Sequence, residues 1–122
     1  MASVCVCDCH THTHCSPDGA DSASTMVQAA VRSGLYAVAI TDHCECNLYR
    51  KEGYDEVIRR SYLETKKAAV SNYGKIRVLT GIELGQPLQD LSAAEDALGM
   101  GDLDFVLASV HNIRGREDFY FM

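Results

Sequence analysis

No apolar run in this 122-residue sequence approaches the ~20 residues that a membrane-spanning helix requires, and no membrane segment is expected. The N-terminus lacks a basic segment followed by a long apolar stretch, so no signal peptide is read there and a cytoplasmic protein is the expectation. Basic residues are also in short supply: 11 Lys and Arg stand against 17 Asp and Glu, for a net charge of −6. A free-standing nucleic-acid binder needs a basic face to neutralise phosphates, and that class is disfavoured. A small anionic substrate is not excluded, because bound divalent cations reverse the local sign. No linker, low-complexity tract or repeat divides the chain. A composition of 47% hydrophobic and 23% charged residues suits a single domain with its own core.

The six cysteines are not read as a disulfide framework, since nothing marks the chain as secreted. Ser3 to Cys9 reads as a buried strand, valine- and cysteine-rich. Cys5, Cys7 and Cys9 alternate there with Val4, Val6 and Asp8. Those three are expected on the strand face away from the histidines, packed under a covering helix as small hydrophobes. Cys15, Cys44 and Cys46 are expected in loops beside the histidine motifs, where exposure makes a thiol prone to oxidation. Cys44-x-Cys46 departs from the usual CxxC of zinc sites and is a weak thiolate candidate.

What is present is histidine in an organised setting. The stretch Asp8-Cys9-His10-Thr11-His12-Thr13-His14-Cys15-Ser16-Pro17-Asp18-Gly19 continues the first strand. Strand side chains alternate faces, so Asp8, His10 and His12 point the same way if the strand persists. Two imidazoles at i and i+2 can grip one metal ion, with an acidic neighbour to orient them. Ser-Pro-Asp-Gly then turns the chain and returns a second carboxylate, Asp18, toward the same place.

The remaining pattern predicts alternating helices and strands. A helix capped by Ser22 or Ser24 runs to about Ser33 and is stopped by Gly34, with Met26, Val27, Ala30 and Val31 as its apolar positions. Leu35 to Ile40 is a continuous apolar run that ends in Thr41-Asp42-His43, as suits a parallel strand covered by helices. Residues 44–53 read as a loop. A helix follows from about Tyr54 to Tyr73, with Ile58, Tyr62, Thr65 and Ala69 inward, Asp55 and Glu56 in its first turn, and Lys66 and Lys67 further along. Ile76 to Ile82 is a third strand ending at Glu83, and Gly85-Gln86-Pro87 breaks the chain. A short helix spans Leu91 to Leu98. A fourth strand runs from Asp104 to Val110 and ends at His111.

This βαβαβαβ order, one unit every ~35 residues, implies parallel strands with right-handed crossovers. Each strand is expected to end C-terminally in a potential metal ligand: His10 and His12, His43, Glu83, His111. The carboxyl edge is the site face of parallel α/β folds. Histidine and carboxylate ligands suit Zn, Mn or Fe, and Glu83 has two oxygens with which to bridge ions. Clustered divalent ions generate hydroxide from bound water and stabilise phosphoryl oxygens during in-line displacement; the same chemistry also serves carboxamide hydrolysis. His14 shares the parity of His10 and His12 but lies in the turn, as a solvated or supporting residue. Asp8 and Asp42 are read either as orienting partners for the histidines or as plain strand-end carboxylates. Arg114 and Arg116 follow His111 as a phosphate clamp or as solvated loop charges. Gly81 and Gly85 are read as serving backbone geometry.

Together these motifs resemble the PHP family, named for polymerase and histidinol phosphatase domains. Asp8-Cys9-His10-Thr11-His12-Thr13 is similar to its first motif, Thr41-Asp42-His43 to its second, Gly81-Ile82-Glu83 to its third and Ser109-Val110-His111 to its fourth. The Ser-Pro-Asp-Gly turn, the Gly-Ile-Glu-Leu-Gly-Gln-Pro stretch and the tail after His111 resemble the histidinol-phosphatase branch. The resemblance covers the whole chain, 1–122. It implies an α/β fold in which parallel βα units form the N-terminal half of a distorted (βα)7 TIM-like barrel. It also implies a divalent metal cluster of up to three ions in the complete domain.

Carried over by motif, His10 and His12 hold one ion with Glu83, Glu83 bridges to a second shared with His111, and Asp18 and His43 hold the third. Asp18 occupies a position that is histidine in some relatives. Glu83 and His111 are the implied catalytic residues, and Arg114 and Arg116 the implied substrate-binding pair. The implied activity is a metal-dependent phosphomonoesterase acting on L-histidinol phosphate in histidine biosynthesis. The family's later histidine and Asp-x-His motifs are absent. The chain is therefore expected to be a fragment with little activity of its own and with open sheet edges able to self-associate. The alternatives are a PHP-type exonuclease and a non-catalytic metal-binding module.

Overall fold

A computed structural model describes residues 4–122. Five strands form one sheet, and every pairing in it is parallel. In chain order the elements are β1 (Cys7–Thr11), α1 (Ala23–Arg32), β2 (Ala37–Ile40), β3 (His43–Glu45), α2 (Tyr54–Ser71), β4 (Arg77–Gly85), α3 (Leu91–Leu98) and β5 (Phe105–Ser109). Short 3₁₀ turns lie at Cys46–Leu48, Pro87–Gln89 and Phe119–Phe121. The sheet curls into part of a barrel, as the parallel βα order predicts. No helix among the described residues is long and apolar enough to cross a membrane.

Local chemistry sets the element ends. The Ser22 hydroxyl accepts from the Thr25 amide at 3.1 Å and caps α1. Gly34, in the left-handed region at φ 74°, closes α1 as a glycine stop does. The Asp90 carboxylate accepts from the Ala93 amide at 2.9 Å and caps α3. The inner stripe of α2 is Tyr54, Ile58, Ser61, Thr65 and Ala68, turned by one residue from the expected stripe. Tyr62 and Ala69 are only half-buried. Ser61 is drawn inward because its hydroxyl donates to the Asp42 carboxylate, and polar atoms on an inward face blur the apolar signal. α2 ends at Ser71, so Lys66 and Lys67 fall short of its last turn.

The middle of the sheet is a relay. β4 is nine residues long. Its first half pairs with β2, from Arg77 to Thr80. Its second half pairs with β3 on one side and β5 on the other. β3, expected as loop, is the continuation of β2 beyond a break at Thr41-Asp42. Glu83 consequently lies inside β4 rather than at its end. Gly81 sits where the strands crowd: a Cβ there would lie 2.7 Å from the Phe105 carbonyl oxygen and 3.1 Å from that of Ile40. Backbone cannot yield as a side chain can. Gly81→Ala is expected to destabilise the chain by about 1–3 kcal/mol, read as a lower urea midpoint.

Two apolar clusters fill the helix–sheet layer. One joins Cys44, Cys46, Tyr49, Tyr54, Ile58, Ile82 and Leu84 with the alanines of α3. The other joins Ala23, Val27, Ala30, Val38 and Ala68. Cys44 and Cys46 are thus core residues rather than loop thiols. Burial, first, pushes both thiols up, Cys46 to about 11 and Cys44 further. A site needing their thiolates is disfavoured.

β1 departs from expectation in the opposite sense. Cys5, Cys7 and Cys9 are exposed, not packed under a helix, and Val4 and Val6 are exposed beside them; Ser3 of the expected strand lies outside the described residues. β1 is an edge strand with β2 as its partner, and alternation yields burial only where another layer covers the face. β5 forms the other edge, with Val106 exposed. Both edges leave backbone groups that further strands could pair.

Candidate metal centre

The parallel register brings the ligand-type residues to one level. His43 of β3 is opposite Glu83 of β4, and Glu83 is opposite Leu107 of β5. His10 lies on β1, where the pairing slips between Asp8 and Thr11, an irregularity that re-aims a strand's side chains. His12 follows β1 directly, and His111 follows β5.

Glu83 is the hub, with 3% of its surface exposed. Its Oε2 lies 3.1 Å from His10 Nε2 and 2.8 Å from His12 Nε2. Its Oε1 lies 2.9 Å from His111 Nε2 and accepts from the Ser109 hydroxyl at 3.0 Å. His12 Nδ1 meets Asp18 Oδ1 at 2.9 Å, and His43 Nε2 meets Asp18 Oδ2 at 3.3 Å. Glu45 Oε1 meets the Nδ1 atoms of His43 and His111, each at 2.9 Å. Three sets of ligand atoms therefore converge, each within 4.8 Å: His10, His12 and Glu83; His12, Asp18 and His43; His43, Glu45 and His111.

The donor set fits divalent cations. Nε2 of His10 and of His12 stand 3.2 Å apart and face the same carboxylate oxygen. A proton can satisfy only part of such a convergence of lone pairs, whereas a cation satisfies all of it. Glu83, Glu45 and Asp18 bring three negative charges together, and among the described residues no Lys or Arg pairs with any of them. Imidazole nitrogens with carboxylate oxygens suit Zn, Mn or Fe.

Without metal, protons take up part of that role. Burial alone would lower His43, but the hydrogen bond to Glu45 and the charges of Glu83 and Asp18 outweigh it and raise it to about 9. Burial would raise Glu83, but hydrogen bonding to His10 and the charge of His43 prevail and lower it to about 2. Glu45 and Asp18 are lowered in the same way, against burial, by their histidine partners. The linkage has a definite sign. His43 is raised, so its contribution to stability is complete below its ordinary value of 6.5 and lost as pH rises through about 9. Glu83 is lowered, so its contribution is present above 4.5 and lost as pH falls through about 2. The metal-free chain is expected to lose denaturation midpoint from pH 6.5 toward 9. Saturating zinc is expected to remove that alkaline loss, because a bound cation replaces the proton.

Other residues singled out by sequence take different places. Asp8 is exposed and accepts from the backbone amide of His10 at 3.2 Å, so it fixes the strand and not an imidazole. Asp42 is 1% exposed and touches no histidine ring. Its Oδ1 accepts from the Thr13 amide at 2.6 Å and the Ser16 hydroxyl at 2.7 Å, and its Oδ2 from the Thr13 hydroxyl at 2.8 Å and from Ser61. It braces the turn that carries Asp18. His14 stands apart from the cluster, 2.8 Å from Glu64. The Arg114 guanidinium donates to the Gln89 carbonyl at 3.2 Å. Arg116 is exposed, and among the described residues neither arginine shares an ion pair with the cluster.

Sequence reasoning missed Glu45 and Gln86. Glu45 lay in the expected loop, yet His43-Cys44-Glu45 repeats the i, i+2 pattern of His10-x-His12, with Cys44 alternating into the core. That alternation was the available signal. Gly85 matters here as space: a Cβ on it would overlap the Glu45 carboxylate. Gln86 is buried and left-handed, at φ 50°. Its amide nitrogen donates to Glu45 and, at 2.9 Å, to Asn47, and its carbonyl oxygen accepts from the His111 amide at 2.6 Å. A non-glycine residue in that region persists where its surroundings over-determine it; here it ties Glu45 to His111, just beyond the end of β5.

A curled parallel βα sheet that gathers four imidazoles and three carboxylates in mutual contact toward its carboxyl edge defines a class, TIM-like βα folds with a candidate metal centre at that edge. Within that class the chain belongs to the PHP domain family, which matches residues 8–122. No curated protein is similar enough in sequence to match the chain. Among solved structures, it is similar to the histidinol phosphate phosphatase HisK of Lactococcus lactis subsp. lactis Il1403, determined with zinc, L-histidinol and phosphate. The identity is 25% and the TM-score 0.61, over 88% of this chain and 40% of the Lactococcus chain. The present chain thus spans less than half the length of that relative.

Proposed function

We propose that this chain supplies the metal-binding βα units of a metal-dependent phosphomonoesterase, with L-histidinol phosphate as substrate. The observation that carries the reading is Glu83, almost wholly buried and in contact with the nitrogens of His10, His12 and His111. The similar Lactococcus enzyme, solved with zinc, L-histidinol and phosphate, supports the substrate class. In this proposal His10 and His12 hold an ion with Glu83, Glu83 reaches a second with His111, and Asp18 and His43 hold a third. Divalent ions held there supply Lewis acidity that activates water and stabilises charge on phosphoryl oxygens.

The chain's own residues prepare that site. Glu45, 2.9 Å from the Nδ1 atoms of His43 and His111, is placed to accept an Nδ1 proton from each, so that an ion replacing the Nε2 proton would meet a lone pair directed at the cluster. Ser109 fixes the Glu83 carboxylate. Arg116, unpaired among the described residues, offers a cation to the phosphate ester. Arg114 would first have to leave the carbonyl it holds. The open edges of β1 and β5 are where, in this reading, the remaining strands of a barrel join, and a centre completed by them would turn over faster than this chain alone.

Phosphate release from histidinol phosphate, with zinc or manganese supplied, tests the reading. Release that depends on metal and disappears in Glu83→Gln is the expected result. Nucleotide release from DNA with histidinol phosphate left intact would replace it with an exonuclease. Tight metal binding with neither activity would make the chain a binding module.

A further inference from the structure

Apart from the histidine cluster, the turn after β1 meets α2 in a second group of ligand-type side chains. His14 and Cys15 come from the turn and Glu64 from the helix, 50 residues along the chain from His14. His14 Nε2 lies 2.8 Å from Glu64 Oε2. A nitrogen of His14, the sulfur of Cys15 and an oxygen of Glu64 lie within 4.8 Å of one another. Arg60 Nε holds the other Glu64 oxygen, Oε1, at 2.9 Å, which orients the carboxylate and leaves Oε2 toward His14. The turn is fixed from within: the His14 amide donates to the Asp21 carbonyl at 2.8 Å, and the Cys15 amide to the Thr13 hydroxyl at 3.2 Å. His14 and Glu64 keep 34% and 27% of their side-chain surface exposed, so an ion and a water ligand have access.

We propose that His14, Cys15 and Glu64 form a separate zinc site that clips the β1–α1 turn to α2. One imidazole, one thiolate and one carboxylate leave the fourth tetrahedral position to water. Mixed nitrogen, sulfur and oxygen ligation selects a borderline ion such as Zn²⁺ over Mg²⁺ or Ca²⁺. Burial, with the charges of Asp42 and Glu64, raises the Cys15 thiol, though Cys15 is only half-buried and not a core residue like Cys44 and Cys46, so the ion displaces its proton on binding. Thiolate and carboxylate together then neutralise the dication, and Arg60 remains as an outer partner of Glu64 and not a competitor. The clip acts on the segment that carries Ser16 and Asp18, and holding it lowers the cost of presenting Asp18 to the histidine cluster. This inference stands apart from the phosphatase reading, since none of its ligands is used there.

Cobalt(II) titration of the full chain tests it, because sulfur ligation gives a thiolate-to-cobalt charge-transfer band and the histidine cluster contains no sulfur ligand. The wild-type chain is expected to show that band, saturating at the intensity of one sulfur-ligated cobalt per chain once the histidine cluster is also filled, and reversed by zinc. Cys15→Ser abolishes it, Cys9→Ser keeps it, and His14→Ala or Glu64→Gln weakens the cobalt affinity behind it by at least ~10-fold. Both of those side chains are partly exposed, so the variants fold, and circular dichroism verifies that they do. Absence of the band at saturating cobalt, or its survival in Cys15→Ser, overturns the proposal. Glu83→Gln is expected to retain the band, so failure of the histidine cluster and failure of this site are read separately.

Discussion

Replacing Glu83 with glutamine is expected to weaken zinc or manganese binding at the histidine cluster by at least ~100-fold, since even supporting partners of metal ligands are worth 10–100-fold. The exchange is nearly isosteric, so the effect isolates charge and lone pairs. One oxygen of Glu83 serves His10 and His12 and the other serves His111 and Ser109. An amide group keeps one acceptor, puts a donor where the other stood, and removes one of the three negative charges that a dication would neutralise. Titration calorimetry of the two proteins measures the loss. Asp8→Asn provides the contrast. Asp8 is exposed and, among the described residues, its carboxylate bonds only the His10 backbone amide, so its removal is expected to change metal affinity by less than the ~10-fold that an orienting partner would cost. Equal losses in the two variants would mean that Glu83 is not the hub.

Asp42→Ala is expected to cost about 3 kcal/mol or more, because a buried donor left without its acceptor costs about 1–3 kcal/mol. Asp42 accepts from four donors: the Thr13 amide and the hydroxyls of Thr13, Ser16 and Ser61. Alanine strands all four in a region where Thr13 is 0% and Ser16 3% exposed. Small domains are stable by only ~5–15 kcal/mol, so the urea midpoint should fall by a large fraction. Asp42→Asn should recover much of that loss, since its amide oxygen can still accept from the Thr13 amide and the Ser16 hydroxyl while its NH₂ donates to the Thr13 and Ser61 hydroxyls. Metal binding should fall together with stability, because the braced turn leads to Asp18 and the Ser16 hydroxyl also accepts from the His43 amide at 2.9 Å. An Asp42→Ala protein as stable as wild type would contradict the bracing role.

These two carboxylates show what sequence conveys and what it conceals. The place of Glu83 among the histidines was legible because a carboxylate closing an apolar run falls in step with His10, His43 and His111. Asp42 looked like the same kind of residue, one position before His43. Its partners, however, are hydroxyls on a distant turn and on α2, and only the fold brings Thr13, Ser16 and Ser61 around it. The parallel order of strands and helices followed from periodicity and stops, with Ser22 and Gly34 marking the ends of α1. The burial of β1 did not follow. Alternation of Val4, Val6 and the cysteines states which side chains share a face, but not whether anything covers that face. Glu45 was hidden by length: three extended residues after a break read as loop until their pairing with Glu83, Leu84 and Gly85 of β4 is seen.

We propose that His10, His12, His43 and His111 act together as ligands of one metal centre. Imidazole ¹⁵N NMR of the full chain during a zinc titration tests it most directly. Resonances of these four rings are expected to move in concert, each ring acquiring one metal-bound nitrogen. Four rings whose nitrogen resonances stay at their metal-free positions at saturating zinc would contradict it.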